Sequence, residues 1–108
     1  SLVSGSRMLS TIIFDEIDAG ISGETALKMG LILKQLSADL QIINITHLPQ
    51  IAGKGDHHFR VFKADTSSGT FTSILKLNDN ERVEELARMV GGDKPTESAR
   101  RTAEEMMK

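Results

Sequence analysis

The sequence predicts an α/β protein, and three stretches carry that reading. "TIIFD" at residues 11–15 is a continuous apolar run that ends in a carboxylate. "QIINIT" at residues 41–46 is a second apolar run, rich in β-branched residues. Between them, Ala26, Met29, Leu33 and Leu36 recur at three- and four-residue spacing, joined by Leu27 and Leu31. Continuous rather than alternating apolar runs predict strands buried on both faces, and the intervening periodicity predicts an amphipathic helix. Strand, helix and strand joined by short connections form the βαβ unit of a parallel sheet.

The remaining elements follow in order. Gly20 and Gly23 end the first strand, and Ser22 is an N-cap for a helix over about residues 23–38. "HLPQIAGKGD" contains Pro49 and two glycines, so it predicts a loop with one helical turn. "HHFRVFKA" and "TFTSILKL" flank a turn-forming Asp65–Gly69 cluster and predict an antiparallel hairpin at the sheet edge. Val83, Leu86, Ala87 and Val90 mark a helix that Gly91-Gly92 terminates. Thr96 caps a last helix with a thin stripe of Ala99, Ala103, Met106 and Met107.

Composition narrows the function. The 108 residues suit one small domain or a piece of a larger one, and the first ten, without a start methionine, suggest a fragment or a processed chain. Thirteen basic and 15 acidic residues are dispersed, with a formal net charge of −2, which argues against a nucleic-acid binder acting alone. The absence of cysteine excludes disulfides and thiolate metal sites and fits a cytoplasmic setting. No apolar run approaches the roughly 18–20 residues that a membrane span needs.

The chemistry concentrates where the first strand runs into Asp15, Glu16 and Asp18. Placing carboxylates at the end of an apolar strand is unfavourable unless a cation or a reaction uses them. An apolar strand ending in Asp-Glu is the Walker B arrangement of a P-loop ATPase. On that reading Asp15 lies at the carboxyl edge of the sheet, where it can hold Mg²⁺ directly or through water, and Glu16 can polarise a water against a γ-phosphate. A solvated strand-to-loop transition would leave the same residues. The run Asp18-Ala19-Gly20-Ile21-Ser22-Gly23 matches the D-loop of ABC-type ATPases in place and character; turn and capping chemistry accounts for its glycines equally well, but not for the cluster of acids. His47 follows the second strand and in a parallel sheet shares an edge with Asp15 and Glu16, which favours γ-phosphate sensing over a capping role. Gln50 either lines the nucleotide pocket or faces solvent.

"TIIFDEID", "AGISG" and "THLPQIAGKGDHHFRVFK" together resemble the C-terminal part of the RecN family, bacterial DNA-repair ATPases of the SMC-like branch of the ABC superfamily. "DEID" differs from ABC transporters, which usually place Pro after the Glu. "RVEELARMVGG" and the Thr/Ser-rich helix start after it also resemble that family. The resemblance implies that residues 1–108 are the C-terminal lobe of a P-loop/ABC-type ATPase head, acting in double-strand break repair in the bacterial cytoplasm and nucleoid. It implies ATP and Mg²⁺ as cofactors. Its implied partners are the N-terminal half of the head, a second head in a homodimer, and DNA through the full-length protein. It assigns Asp15 to Mg²⁺, Glu16 to water activation, Asp18 to communication across the dimer, His47 to the γ-phosphate and Gln50 to the nucleotide pocket.

No G-x-x-x-x-G-K-[ST] occurs in the chain, so the phosphate cradle is expected from elsewhere and this piece alone is expected to be inactive. "VSGSR" lies too close to Asp15 to be a signature motif. Adjacent His57 and His58 diverge on a strand and do not suit a transition-metal site with Asp56 and His47. Arg60 and Lys63 suit ordinary exposed strand positions, or contacts with DNA or a coiled-coil root. Met89, Met106 and Met107 read as core or partner-facing residues. Uncovered apolar area on the lobe predicts self-association. Two alternatives remain: the head of another SMC-like or ABC assembly, and a non-enzymatic α/β interaction or metal-binding module.

Overall fold

The computed structural model describes residues 10–16 and 20–108. The elements in chain order are β1 (Thr11–Asp15), α1 (Gly23–Leu36), β2 (Gln41–Ile45), α2 (Pro49–Ala52), β3 (Phe59–Thr66), β4 (Gly69–Lys76), α3 (Asp79–Gly91) and α4 (Glu97–Met106). β1 and β2 pair in parallel, with Thr11 opposite Gln41 and Asp15 opposite Ile45, which is the expected βαβ unit. Ser22 caps α1 by accepting from the Thr25 amide at 3.3 Å. The one helical turn expected after β2 is α2, with Pro49 in its first turn, where a missing N–H costs nothing.

β3 and β4 form the expected hairpin, but as a separate two-stranded sheet rather than an extension of the parallel pair. The expected edge placement is therefore corrected. The Leu77 amide closes the base of the hairpin by donating to the His58 carbonyl at 2.9 Å, and Arg60 reaches α3 at Glu85, 3.7 Å away.

Among the described residues there are two small cores rather than a single large one. In the first, Ala26, Leu33 and Ile51 pack with Phe14, Ile21, Met29, Ile42 and Leu48, joining α1 and α2 to one face of the parallel pair. In the second, Leu86, Ala87, Ala99 and Ala103 pack with Ala52, Val83, Met89 and Met107. The alanines let α3 and α4 approach closely, and Arg100 grips Glu84 across them at 2.7 Å. Neighbouring residues of the short α2, Ile51 and Ala52, contribute to different cores, so this single turn bridges them. α3 begins with a complete capping box, in which Asn78 accepts from the Glu81 amide and Glu81 accepts from the Asn78 amide, both at 2.8 Å.

The prediction that β1 and β2 are buried on both faces is also corrected. α1 covers the face carrying Phe14 and Ile42, while Ile13, Ile43 and Ile45 on the other face are 63%, 44% and 51% exposed. No described element lies over that second face. The radius of gyration, 16.0 Å, exceeds the roughly 13 Å typical of a compact domain of this length. The exposed isoleucines leave apolar surface open on that face. Among the described residues, no helix is long and apolar enough to cross a membrane.

Candidate functional site at the carboxyl edge of the parallel pair

The parallel register sets the site. Asp15 and Ile45 are opposed at the ends of their strands, and the Glu16 amide extends the ladder by donating to the Ile45 carbonyl at 2.9 Å. Asp15 and Glu16 on one strand and Thr46 and His47 on the next therefore leave the sheet at the same carboxyl edge, the position at which open α/β sheets bind ligands. Strand alternation puts Asp15 on the same face as Ile13, the uncovered one. Asp15, Glu16 and His47 are all exposed.

Glu16 has a φ of +53°, the only positive value for a residue other than glycine among those described. A side chain in this left-handed region is strained, and such strain gathers where the backbone must turn abruptly at a functional site. The turn redirects the chain at Glu16, so that its carboxylate departs from the strand at a different angle from that of Asp15.

His47 leads directly into α2. The Leu48 amide donates to the Thr46 hydroxyl at 3.0 Å, which shapes the turn that carries His47 over the sheet edge. Gln50 is half-buried on α2 and lies against the start of α1: a Cβ placed on Gly23 would stand 3.1 Å from Gln50 Nε2. Its Oε1 is buried without a hydrogen-bond partner among the described residues, leaving a free acceptor beside the N-terminus of α1. The groove there, about 470 Å³, is lined by Gly23, Glu24, Leu27, Gln50, Lys54 and residues of α4. Asp18 lies outside the described residues. The structure thus gathers Asp15, Glu16 and His47 at one sheet edge and places Gln50 one turn beyond His47, on the far side of α2's first residue.

The donor set fits a hard cation held in part by other ligands. Mg²⁺ is usually bound through one or two carboxylates together with waters and substrate phosphates, and an exposed Asp15 with Glu16 beside it supplies that. Among the described residues no group of three or more His, Asp or Glu side chains forms a closed cage.

Two polar groups escaped the sequence reading. Arg82 is only 7% exposed and donates through Nη2 to the carbonyls of Gly55 at 2.7 Å and Gly53 at 3.4 Å. Its place one turn before Leu86, on the apolar face of α3, was the available signal. Asn44 lies on the covered face of β2, with both amide atoms buried and unpartnered among the described residues. Next to Arg82, burial and then the nearby guanidinium hold the His58 pKa below its ordinary value, with Glu85 opposing.

No protein-family model matches the chain. It is 45% identical over 106 residues to the DNA repair protein RecN of Haemophilus influenzae, covering 98% of this chain and 19% of that protein. RecN of Rickettsia conorii is 48% identical over 97 residues, covering 90% and 18%, and RecN of Streptomyces coelicolor 38% identical over 104 residues, covering 96% and 18%. The chain therefore spans less than a fifth of the length of these curated relatives. Among solved structures it is similar to a chain from "Structural biochemistry of ATP-driven dimerization and DNA stimulated activation of SMC ATPases", with a TM-score of 0.63 at 19% identity. That similarity covers 78% of this chain and 50% of the other, and it establishes a shared fold.

Proposed function

Since this chain corresponds to the C-terminal part of RecN and has the fold of part of an SMC ATPase head, we propose that it supplies one half of a composite ATP-hydrolysing site in a DNA-repair protein. The observation that carries the proposal is the parallel register, which brings Asp15, Glu16 and His47 to one sheet edge.

Each residue has a role there. Asp15 offers its carboxylate to Mg²⁺, and Glu16 accepts a proton from the attacking water and orients it. His47 donates a hydrogen bond toward the γ-phosphate. Gln50 uses its free Oε1 within the nucleotide pocket, and Asp18 speaks across to a second head. Bound Mg-ATP supplies the phosphoryl group and the charge neutralisation that these side chains address. The backbone nest and lysine of a P-loop, which provide most phosphate affinity, come from the remainder of the longer protein. The open face bearing Ile13, Ile43 and Ile45 is the surface on which the N-terminal half of the head packs. Through that assembly the protein dimerises and acts on DNA.

The test is calorimetric titration of Mg-ATP into the chain alone and into its mixture with the rest of the protein. Binding and turnover confined to the mixture support the proposal. In the full-length protein, Glu16→Gln should reduce turnover about 100-fold or more while ATP binding persists. No heat in either titration, from partners that are folded and associated, would sink the Walker B reading and favour a non-enzymatic interaction module.

A further inference from the structure

We infer that Arg82 is a positioning residue: by clamping the turn after α2 onto α3, it sets where His47 stands at the sheet edge. The inference rests on the ATPase reading above.

α2 is a single turn of helix between His47 and Gly53, too short to hold its own orientation. Its direction must come from what grips it. On one side, α1 approaches so closely that a Cβ on Gly30 would meet the Gln50 carbonyl oxygen at 2.9 Å. That contact fixes the middle of α2, while its C-terminal end lies between α4, where a Cβ on Gly53 would meet the Met106 carbonyl oxygen at 2.8 Å, and α3. Arg82 Nη2 holds that end, bonding the carbonyl of the C-cap residue, Gly53, and that of Gly55. A cation there is also the partner that a helix C-terminus favours.

Other contacts reach the same turn but are weaker fixtures. Lys34 pairs with Asp56, and Lys54 donates to the Lys108 carbonyl at 2.8 Å. The first of these joins two exposed side chains, and a water-screened pair of that kind constrains little. The Arg82 guanidinium is buried, so its hydrogen bonds are not exchanged with solvent, and releasing them leaves a charge with nowhere to go. Both bonds leave one nitrogen, Nη2, and what favours arginine over lysine there is burial, because a guanidinium is more weakly hydrated than a compact ammonium and is the easier cation to hold away from water. A displacement of about 1 Å at a group that positions reacting atoms can cost on the order of 100-fold in rate.

The experiment is a double-mutant cycle on ATP turnover in the full-length protein, combining Arg82→Gln with His47→Ala. Arg82→Gln alone should lower kcat about 10-fold or more and change KM for ATP by less than about threefold. In the His47→Ala background the same substitution should change kcat by less than about twofold, because the group it positions is gone. Equal losses in both backgrounds, or a loss confined to KM, would overturn the inference. If His47→Ala leaves turnover unaltered, the ATPase assignment of His47 falls and this inference falls with it. Should Arg82→Gln fail to fold, Arg82→Lys takes its place in the cycle, and turnover equal to that of the unmodified protein would then refute the positioning role. Amide exchange gives a readout apart from activity. The Ala52 and Gly53 amides, bonded to Leu48 and Pro49, should exchange at least about 10-fold faster in the Arg82→Lys protein, with α4 unchanged. Uniform acceleration across α3 and α4 would mean a merely structural arginine.

Discussion

The left-handed backbone at Glu16 allows strain and catalysis to be separated by substitution. Its φ of +53° is one that a non-glycine side chain adopts at a cost of about 1–2 kcal/mol. The side chain is exposed, so replacing it removes little packing and isolates the backbone effect. Glycine relieves the strain but loses roughly 0.5–1 kcal/mol to the greater freedom of the unfolded chain. Glu16→Gly should therefore stabilise by about 0.5 kcal/mol. Asn tolerates the region without glycine's entropy, so Glu16→Asn should stabilise by about 0.5–1 kcal/mol. Ala carries the same Cβ as Glu and should change little, whereas the β-branched Val should lose about 1 kcal/mol or more. For a domain of this size, about 1 kcal/mol moves Tm by roughly 4–8 °C, so the series is readable by thermal and urea unfolding. The same Gly and Asn variants in the full-length protein should lose ATP turnover, the exchange of stability for activity expected where strain sits on a working residue. If Gly and Asn both prove less stable than the unmodified protein, or Ala matches Gly, the backbone at Glu16 stores no strain and the reasoning fails.

Two further outcomes follow from the cores and from the half-buried His58. Leu86 is completely buried between α3 and α4, so Leu86→Ala should cost about 2–5 kcal/mol, seen as a lower urea midpoint at unchanged slope. A loss below about 1 kcal/mol would mean that the two helices do not share this core. His58 has a folded-state pKa lowered first by burial and then by Arg82, so the unfolded chain takes up its proton more readily. Stability is accordingly full above the unfolded pKa of about 6.5 and declines as pH falls from there through the folded pKa. His58→Asn should flatten the fall between pH 7.5 and 5.5; an equally steep fall in that variant would place its origin in other groups.

The parallel pair, the cap of α1, the turn of α2 and the two last helices were all legible in the chain, because each depends on neighbours only a few residues apart. Ser22 before an apolar periodicity and Pro49 after His47 act locally. The candidate site was legible for a related reason: parallel pairing of consecutive strands sends both carboxyl ends to one edge, whatever else the fold does. The left-handed turn was not readable at Glu16, since nothing in a glutamate announces a positive φ.

Sequence alone determined the α/β class, the order of elements and the meeting of Asp15, Glu16 and His47, because hydrophobic periodicity and strand direction are properties of short segments. It misjudged burial. An uninterrupted "TIIF" states that both faces of a strand can be covered, but which face is covered depends on the elements that arrive, and here α1 reaches only one. The tertiary structure alone decided that the hairpin forms its own sheet. It alone decided that Arg82 is buried on the carbonyls of Gly53 and Gly55, because that contact joins residues 27 and 29 positions apart, and no local preference in either segment encodes it.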